Sequence, residues 1–187
     1  MKILIVDNND SFTYNLKHYV EQFSCEVIVI KGSDLSLSNI DLFDKIILSP
    51  GPGLPLEHIV LNRVIERAIG KKSILGICLG HQAIAAYFGA NLVNLKEVKH
   101  GVTSRLNQFN NCSLFKGIPN YFDVAHYHSW VVDERDFPEC LLITSRNEEQ
   151  YVMSFRHRHY DFVGLQFHPE SILTDNGLQI IENWVLS

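Results

Sequence analysis

No stretch of this chain stays apolar for the ~20 residues a helix needs to cross a bilayer, so no membrane-spanning helix is expected. Cysteine is scarce. Cys25, Cys78, Cys112 and Cys140 are the four, and neither metal-type nor disulfide-type spacing links them. A reducing cytoplasm is therefore the expected compartment. Positive charge is short as well: 16 Lys and Arg against 21 Asp and Glu leave a net charge of −5, which gives no basis for binding nucleic acid. No acidic cluster marks a magnesium site of the chain's own. Linkers, repeats and low-complexity segments are missing too. At 46% hydrophobic, the 187 residues suffice for one buried core, and 1–187 is read as a single domain. The start, Met1 to Asp7, is too short and too soon acidic for a secretory signal and reads as a first strand.

What the first half has instead is alternation of strand-like and helix-like runs. Ile3 to Val6, Val27 to Ile30, Ile46 to Leu48 and Ile74 to Ile77 read as strands. Ser11 to Phe23 reads as a helix capped by Asp10 or Ser11. His58 to Ile69, closed by Gly70, and Gln82 to Phe88 read as two more. This order predicts an α/β fold: a doubly wound, mostly parallel sheet with helices on both faces. From Leu92 the pattern becomes short alternating runs. Leu141 to Ser145, Tyr151 to Arg156 and Phe162 to Phe167 predict added antiparallel strands, and Asn176 to Leu186 a closing helix.

Chemistry concentrates where strands end. Gly76-Ile77-Cys78-Leu79-Gly80-His81-Gln82 holds a cysteine between two glycines as a buried strand gives way to a helix. The glycines remove Cβ atoms that would collide in the turn, as at the nucleophile elbow of serine hydrolases. A helix N-terminus there favours a negatively charged sulfur. Downstream, Gln166-Phe167-His168-Pro169-Glu170-Ser171 delivers a histidine to the end of a strand. Residues two apart in extended chain project to one side, so Glu170 can reach the His168 ring and orient it as a base for a distant thiol. The stiff, bare loop Pro50-Gly51-Pro52-Gly53 follows another strand. Its Gly51 N–H, with that of Leu79, suits an oxyanion hole. Active sites of doubly wound sheets lie at this carboxyl edge. His126-x-His128 has no evident third metal ligand and reads as a surface feature of a strand, and Arg156-His157-Arg158-His159 as a solvated hairpin.

These blocks, in this order, resemble the class I, triad-type glutamine amidotransferases over the whole chain. The opening Asp7-Asn8-Asn9-Asp10-Ser11-Phe12-Thr13-Tyr14-Asn15-Leu16 is similar to one subgroup, the small subunits of anthranilate synthase and aminodeoxychorismate synthase. His100-Gly101 and His126-Tyr127-His128-Ser129 also match. The chain departs from that subgroup at Asn9 (commonly Tyr), at Val102 (usually Lys), at His126 (usually Arg) and at Trp130 (usually a smaller apolar residue). The resemblance implies a flavodoxin-like glutaminase with catalytic Cys78, His168 and Glu170. Gly51, Pro52, Gly53, Gln82, Ser129 and Trp130 would hold L-glutamine. No metal or cofactor is implied for this chain; a chorismate-binding synthase partner would carry magnesium and receive the ammonia. The basic run from Arg156 to His159 is similar to one in aminodeoxychorismate-type subunits, which points toward folate rather than tryptophan supply, with service to both pathways, as in some of these subunits, left open. Two alternatives stay open: a non-catalytic regulatory subunit, excluded by glutamate production with the partner, and a free-standing γ-glutamyl cysteine hydrolase, supported by turnover that ignores the partner.

Overall fold

Alternation within the first strand divides the molecule into two cores. In β1 (Lys2–Asp7), Ile3 and Ile5 join one core while Leu4 and Val6 join the other, and all four are fully buried. A strand buried on both faces calls for helices on both faces. The structure, a computed structural model describing residues 1–23, 25–109 and 112–187, supplies them. Helices α1 (Thr13–Glu21) and, at the far end of the chain, α4 (Gly177–Val185) cover one side through Leu16, Val20, Ile180 and Trp184. Between them in sequence, α2 (Ile59–Ala68) and α3 (Leu79–Tyr87) cover the other through Leu61, Val64, Ala83 and Ile84.

Among the described residues nine strands form one sheet. With β2 (Glu26–Lys31), β3 (Lys45–Leu48), β4 (Ser73–Ile77), β5 (Leu92–Gln108), β6 (Tyr121–Val132), β7 (Leu141–Asn147), β8 (Val152–His157) and β9 (Phe162–Leu165), the order is β2-β1-β3-β4-β9-β8-β7-β5-β6. From β2 to β9 every pair is parallel, and from β9 to β6 every pair is antiparallel. The doubly wound reading holds, and three details differ from the sequence expectation. First, β9 is antiparallel to β8 but parallel to β4, and it ends at Leu165. Second, Leu92 to Val132 is not short runs but a 17-residue strand paired with a 12-residue one, while the short strands expected further on are present as β7, β8 and β9. Register shifts between Asn94 and Lys99 and between His100 and Val102 break the alternation of β5. Third, α1 starts at Thr13, because Asp10 Oδ1 takes the Phe12 N–H at 2.8 Å and Asp7 Oδ1 takes the Thr13 hydroxyl at 2.9 Å. Helix α2 closes as expected, with Gly70 at φ +67° just beyond it. Among the described residues no helix is long and apolar enough to cross a membrane.

Candidate active site

Cys78 sits between β4 and α3 with φ +50° and ψ −100°, a conformation sparsely populated for any residue with a side chain. Two close approaches hold it there. A Cβ on Gly76 would lie 2.5 Å from the Gly80 carbonyl, and one on Gly80 would lie 2.3 Å from the Leu48 carbonyl oxygen. Only glycine at both positions lets α3 begin this tightly against β3 and β4. The Cys78 N–H bonds Leu165 O at 2.7 Å, tying the bend to β9. Helix α3 therefore starts at Leu79, three residues before the expected Gln82.

The loop after β3 closes on this bend. A Cβ on Gly51 would meet Asn8 Cβ at 2.6 Å and Leu79 Cδ2 at 2.9 Å, so the two expected oxyanion residues lie against each other. Asn8 clamps the loop: its N–H donates to Ser49 Oγ at 2.9 Å and its Nδ2 to Ser49 O at 3.0 Å. Sequence reasoning assigns Asn8 no role, because its partner is 41 residues away.

His168 lies just beyond β9. Its Nδ1 bonds Glu170 Oε1 at 2.7 Å, and both residues are buried. The other ring nitrogen, Nε2, has no hydrogen-bond partner of normal geometry among the described residues, with the Cys78 thiol its electrostatic neighbour. Burial alone drives the ring toward its neutral form, but the Glu170 carboxylate and the adjacent Cys78 thiol outweigh it and hold the His168 pKa well above its ordinary value. Phe12 and Tyr127 pack on the ring with centroids 5.6 and 4.9 Å away. The backbone is pinned to β6 by His168 N–H on Ala125 O at 3.2 Å, and Thr174, six residues on, donates its Oγ1 hydrogen to His168 O at 2.6 Å.

Above the sulfur is a cavity of about 180 Å³, smaller than the ~300–1,000 Å³ of sites for drug-sized ligands. Gly51, Pro52, Gly53, Cys78, Leu79, Gln82, Ser129 and Trp130 line it, so every residue expected to hold glutamine is brought to one cavity. Val98, His100, Tyr127 and His128 complete the wall. Gln82 Nε2 donates to Trp130 O at 2.8 Å, joining α3 to β6 across the floor.

His126 and His128 are not a surface feature. Both are buried, with His126 Nδ1 and His128 Nε2 3.1 Å apart and Ser104 Oγ 2.6 Å from His126 Nε2. Burial first, then Lys99 near His126 and His126 near His128, push their pKa values down to about 4 and about 3. Among the described residues no group of three or more His, Cys, Asp or Glu is placed to hold a metal ion. In the basic hairpin Arg158 and His159 are exposed and Arg156 is half-buried, while His157 turns inward and stacks on Tyr160 at 4.4 Å.

The chain is 43% identical over 185 residues to aminodeoxychorismate synthase component 2 of Klebsiella aerogenes, covering 98% of each. It is 40% identical over 190 residues to anthranilate synthase component 2 of Pseudomonas aeruginosa, covering 98% of this chain and 94% of that one. A Thermoplasma acidophilum protein, proposed to be part of a GMP synthase, has the same fold, with a TM-score of 0.89 at 25% identity over 99% of this chain and 92% of the other. Residues 4–187 match the glutamine amidotransferase class-I family, and the chain belongs to it.

Proposed function

We propose that this chain is the glutaminase subunit of a chorismate-using synthase, with Cys78, His168 and Glu170 as its catalytic triad. The observation that carries the reading is the buried His168–Glu170 pair, with the Cys78 thiol beside the His168 ring and Cys78 itself lining a small polar cavity. In the first half-reaction His168 Nε2 takes the thiol proton as Sγ attacks the side-chain carboxamide of L-glutamine. The Gly51 and Leu79 N–H groups receive the oxyanion. On collapse, the imidazolium gives its proton to the departing nitrogen, releasing ammonia and leaving a γ-glutamyl thioester. Water, deprotonated by the same nitrogen, then attacks the thioester, and glutamate leaves as the thiol is restored. Glu170 holds the ring and stabilises its charge at each step. Gln82 and the Ser129–Trp130 backbone take the α-amino and carboxylate ends.

Relatives at 43% and 40% identity are named as components of aminodeoxychorismate and of anthranilate synthases, which supports a chorismate-binding synthase as the partner that uses the ammonia. Magnesium belongs with that partner in this reading. The test mixes the purified chain with each candidate synthase, supplies glutamine and chorismate, and identifies the aminated product. Cys78→Ala should abolish glutamine-dependent product while ammonium salts still support it. Undiminished glutamate release by Cys78→Ala would refute the nucleophile, and failure to serve either synthase would refute the pathway.

A further inference from the structure

A fully buried glutamine, Gln166, touches the nucleophile and has no part in the mechanism above. Its Nε2 lies 3.7 Å from Cys78 Sγ, within reach of a sulfur acceptor, and its Oε1 lies 3.2 Å from Gln82 Nε2. The direction of this chain is forced. The Trp130 carbonyl can only accept, so the Gln82 amide atom 2.8 Å from it must be the NH₂ group. That group has a second hydrogen, and the Gln166 atom facing it must be the carbonyl oxygen. Gln166 therefore turns its own NH₂ toward the sulfur. No choice of amide orientation is left anywhere in the chain. By the same logic, Gln82 Oε1 is left for the cavity, since no protein donor among the described residues takes it.

We propose that Gln166 is a further catalytic residue, a dedicated N–H donor to the Cys78 sulfur, and that Gln82 is the positioning residue that aims it. The donor stabilises negative charge on sulfur twice, when the thiol proton moves to His168 and when water expels the sulfur from the thioester. No proton leaves Gln166 in either event. One residue of the glutamine pocket thus sets the hydrogen bonding of the nucleophile. A substrate ammonium on Gln82 Oε1 would polarise the Gln82 amide and strengthen the N–H chain to the sulfur. This deepens the proposed glutaminase reading and rests on Cys78 being the nucleophile.

The experiment uses the complex with its synthase partner. Gln166→Met keeps the length and removes the donor, and Gln166→Glu keeps the volume and presents an acceptor, so one remains informative should the other fail to fold. Each should lower kcat about ten- to hundredfold, the scale of a hydrogen bond to a charged group, with KM for glutamine within about threefold. The pH profile of Cys78 alkylation by iodoacetamide should move to higher pH, which a purely structural role would not cause. Gln82→Met should raise KM and also lower kcat, because it removes both the substrate acceptor and the group that aims Gln166, and the double variant should lose less than the product of the two. A wild-type kcat and an unmoved alkylation profile in folded Gln166→Met or Gln166→Glu would overturn the inference. Cys78→Ala, run in parallel, separates the two failures: activity there sinks the glutaminase reading, whereas an inactive Cys78→Ala beside a normal Gln166→Met sinks only this one.

Discussion

Two pairs of residues, each two apart in sequence, one across a turn and one along a strand, are buried around this site and behave oppositely. One is His168 with Glu170 at the end of the parallel half of the sheet, and the other is His126 with His128 in the antiparallel extension. Both put an imidazole nitrogen within hydrogen-bond distance of its partner, and both are shielded from water. The difference lies in the partner's charge. A carboxylate on Nδ1 lets His168 keep a proton that burial would strip off, whereas His126 hydrogen-bonds a hydroxyl and another imidazole, and Lys99 outweighs the more weakly acting Glu149 nearby. The His126 pKa falls to about 4 and that of His128 to about 3. Burial alone makes a histidine inert; a buried counter-charge makes it a base that holds and returns a proton.

The largest test removes the charge and keeps the shape. Glu170→Gln leaves an acceptor for the Nδ1 hydrogen but no carboxylate, so His168 should behave like His126. Glutamine hydrolysis in the complex should fall by about 10²-fold or more, the lower range of general acid–base contributions. A rate within threefold of wild type would mean that the two pairs differ in name only.

How far this contrast is legible in the sequence depends on distance along the chain. His168-Pro169-Glu170 can be read because a proline after a histidine and a carboxylate two residues on are local facts. The Cys78 bend is legible for the same reason, since Gly76 and Gly80 flank it. The burial of His126 and His128 is not, because the side chains that bury them come from other strands, among them Ser104, 22 residues away. Gln166 stands inside a readable motif, yet its contact with Cys78 spans 88 residues and leaves no periodic trace. The direction of β9 escapes the sequence because alternation marks a strand's faces and carries nothing about which neighbour runs which way. The doubly wound half reads well, since strands buried on both faces and followed by helices admit few other packings.

A smaller effect appears in pH-dependent stability, where the two pairs have opposite signs. His81, at about 3, joins His126 and His128 as a histidine whose folded pKa is depressed by burial. Unfolded, each takes a proton near its ordinary value of 6.5, so the unfolded chain binds more protons below that pH. Stability then falls on acidification from about pH 6.5 toward 4, by about 1.4 kcal/mol per pH unit for each proton involved. His168 is the reverse: its raised folded pKa adds stability that is complete below 6.5 and is lost as pH rises through the folded value. Urea unfolding across pH should show His126→Gln flattening the acid limb by about one proton and His168→Gln flattening the neutral-to-alkaline side. Equal slopes in both variants would erase the proposed distinction.

The smallest effect is at Ser104, the neutral counterpart of Glu170. Its Oγ is 2.6 Å from His126 Nε2 and receives Asn147 Nδ2 at 3.4 Å, so its own hydrogen is free to point at the imidazole. That orientation leaves the His126 hydrogen on Nδ1, where it meets His128 Nε2. Ser104→Ala strands one buried nitrogen, which costs about 1–3 kcal/mol, measured as a shift of the urea midpoint at constant slope. Glutamine hydrolysis should stay within about twofold, because no atom of this network bonds the Cys78 sulfur or the His168 ring. The opposite result, a rate loss comparable to that of Glu170→Gln with stability intact, would show that the second pair moves protons too. The contrast between a charged and an uncharged partner would then fail as the rule that separates chemistry from packing in this site.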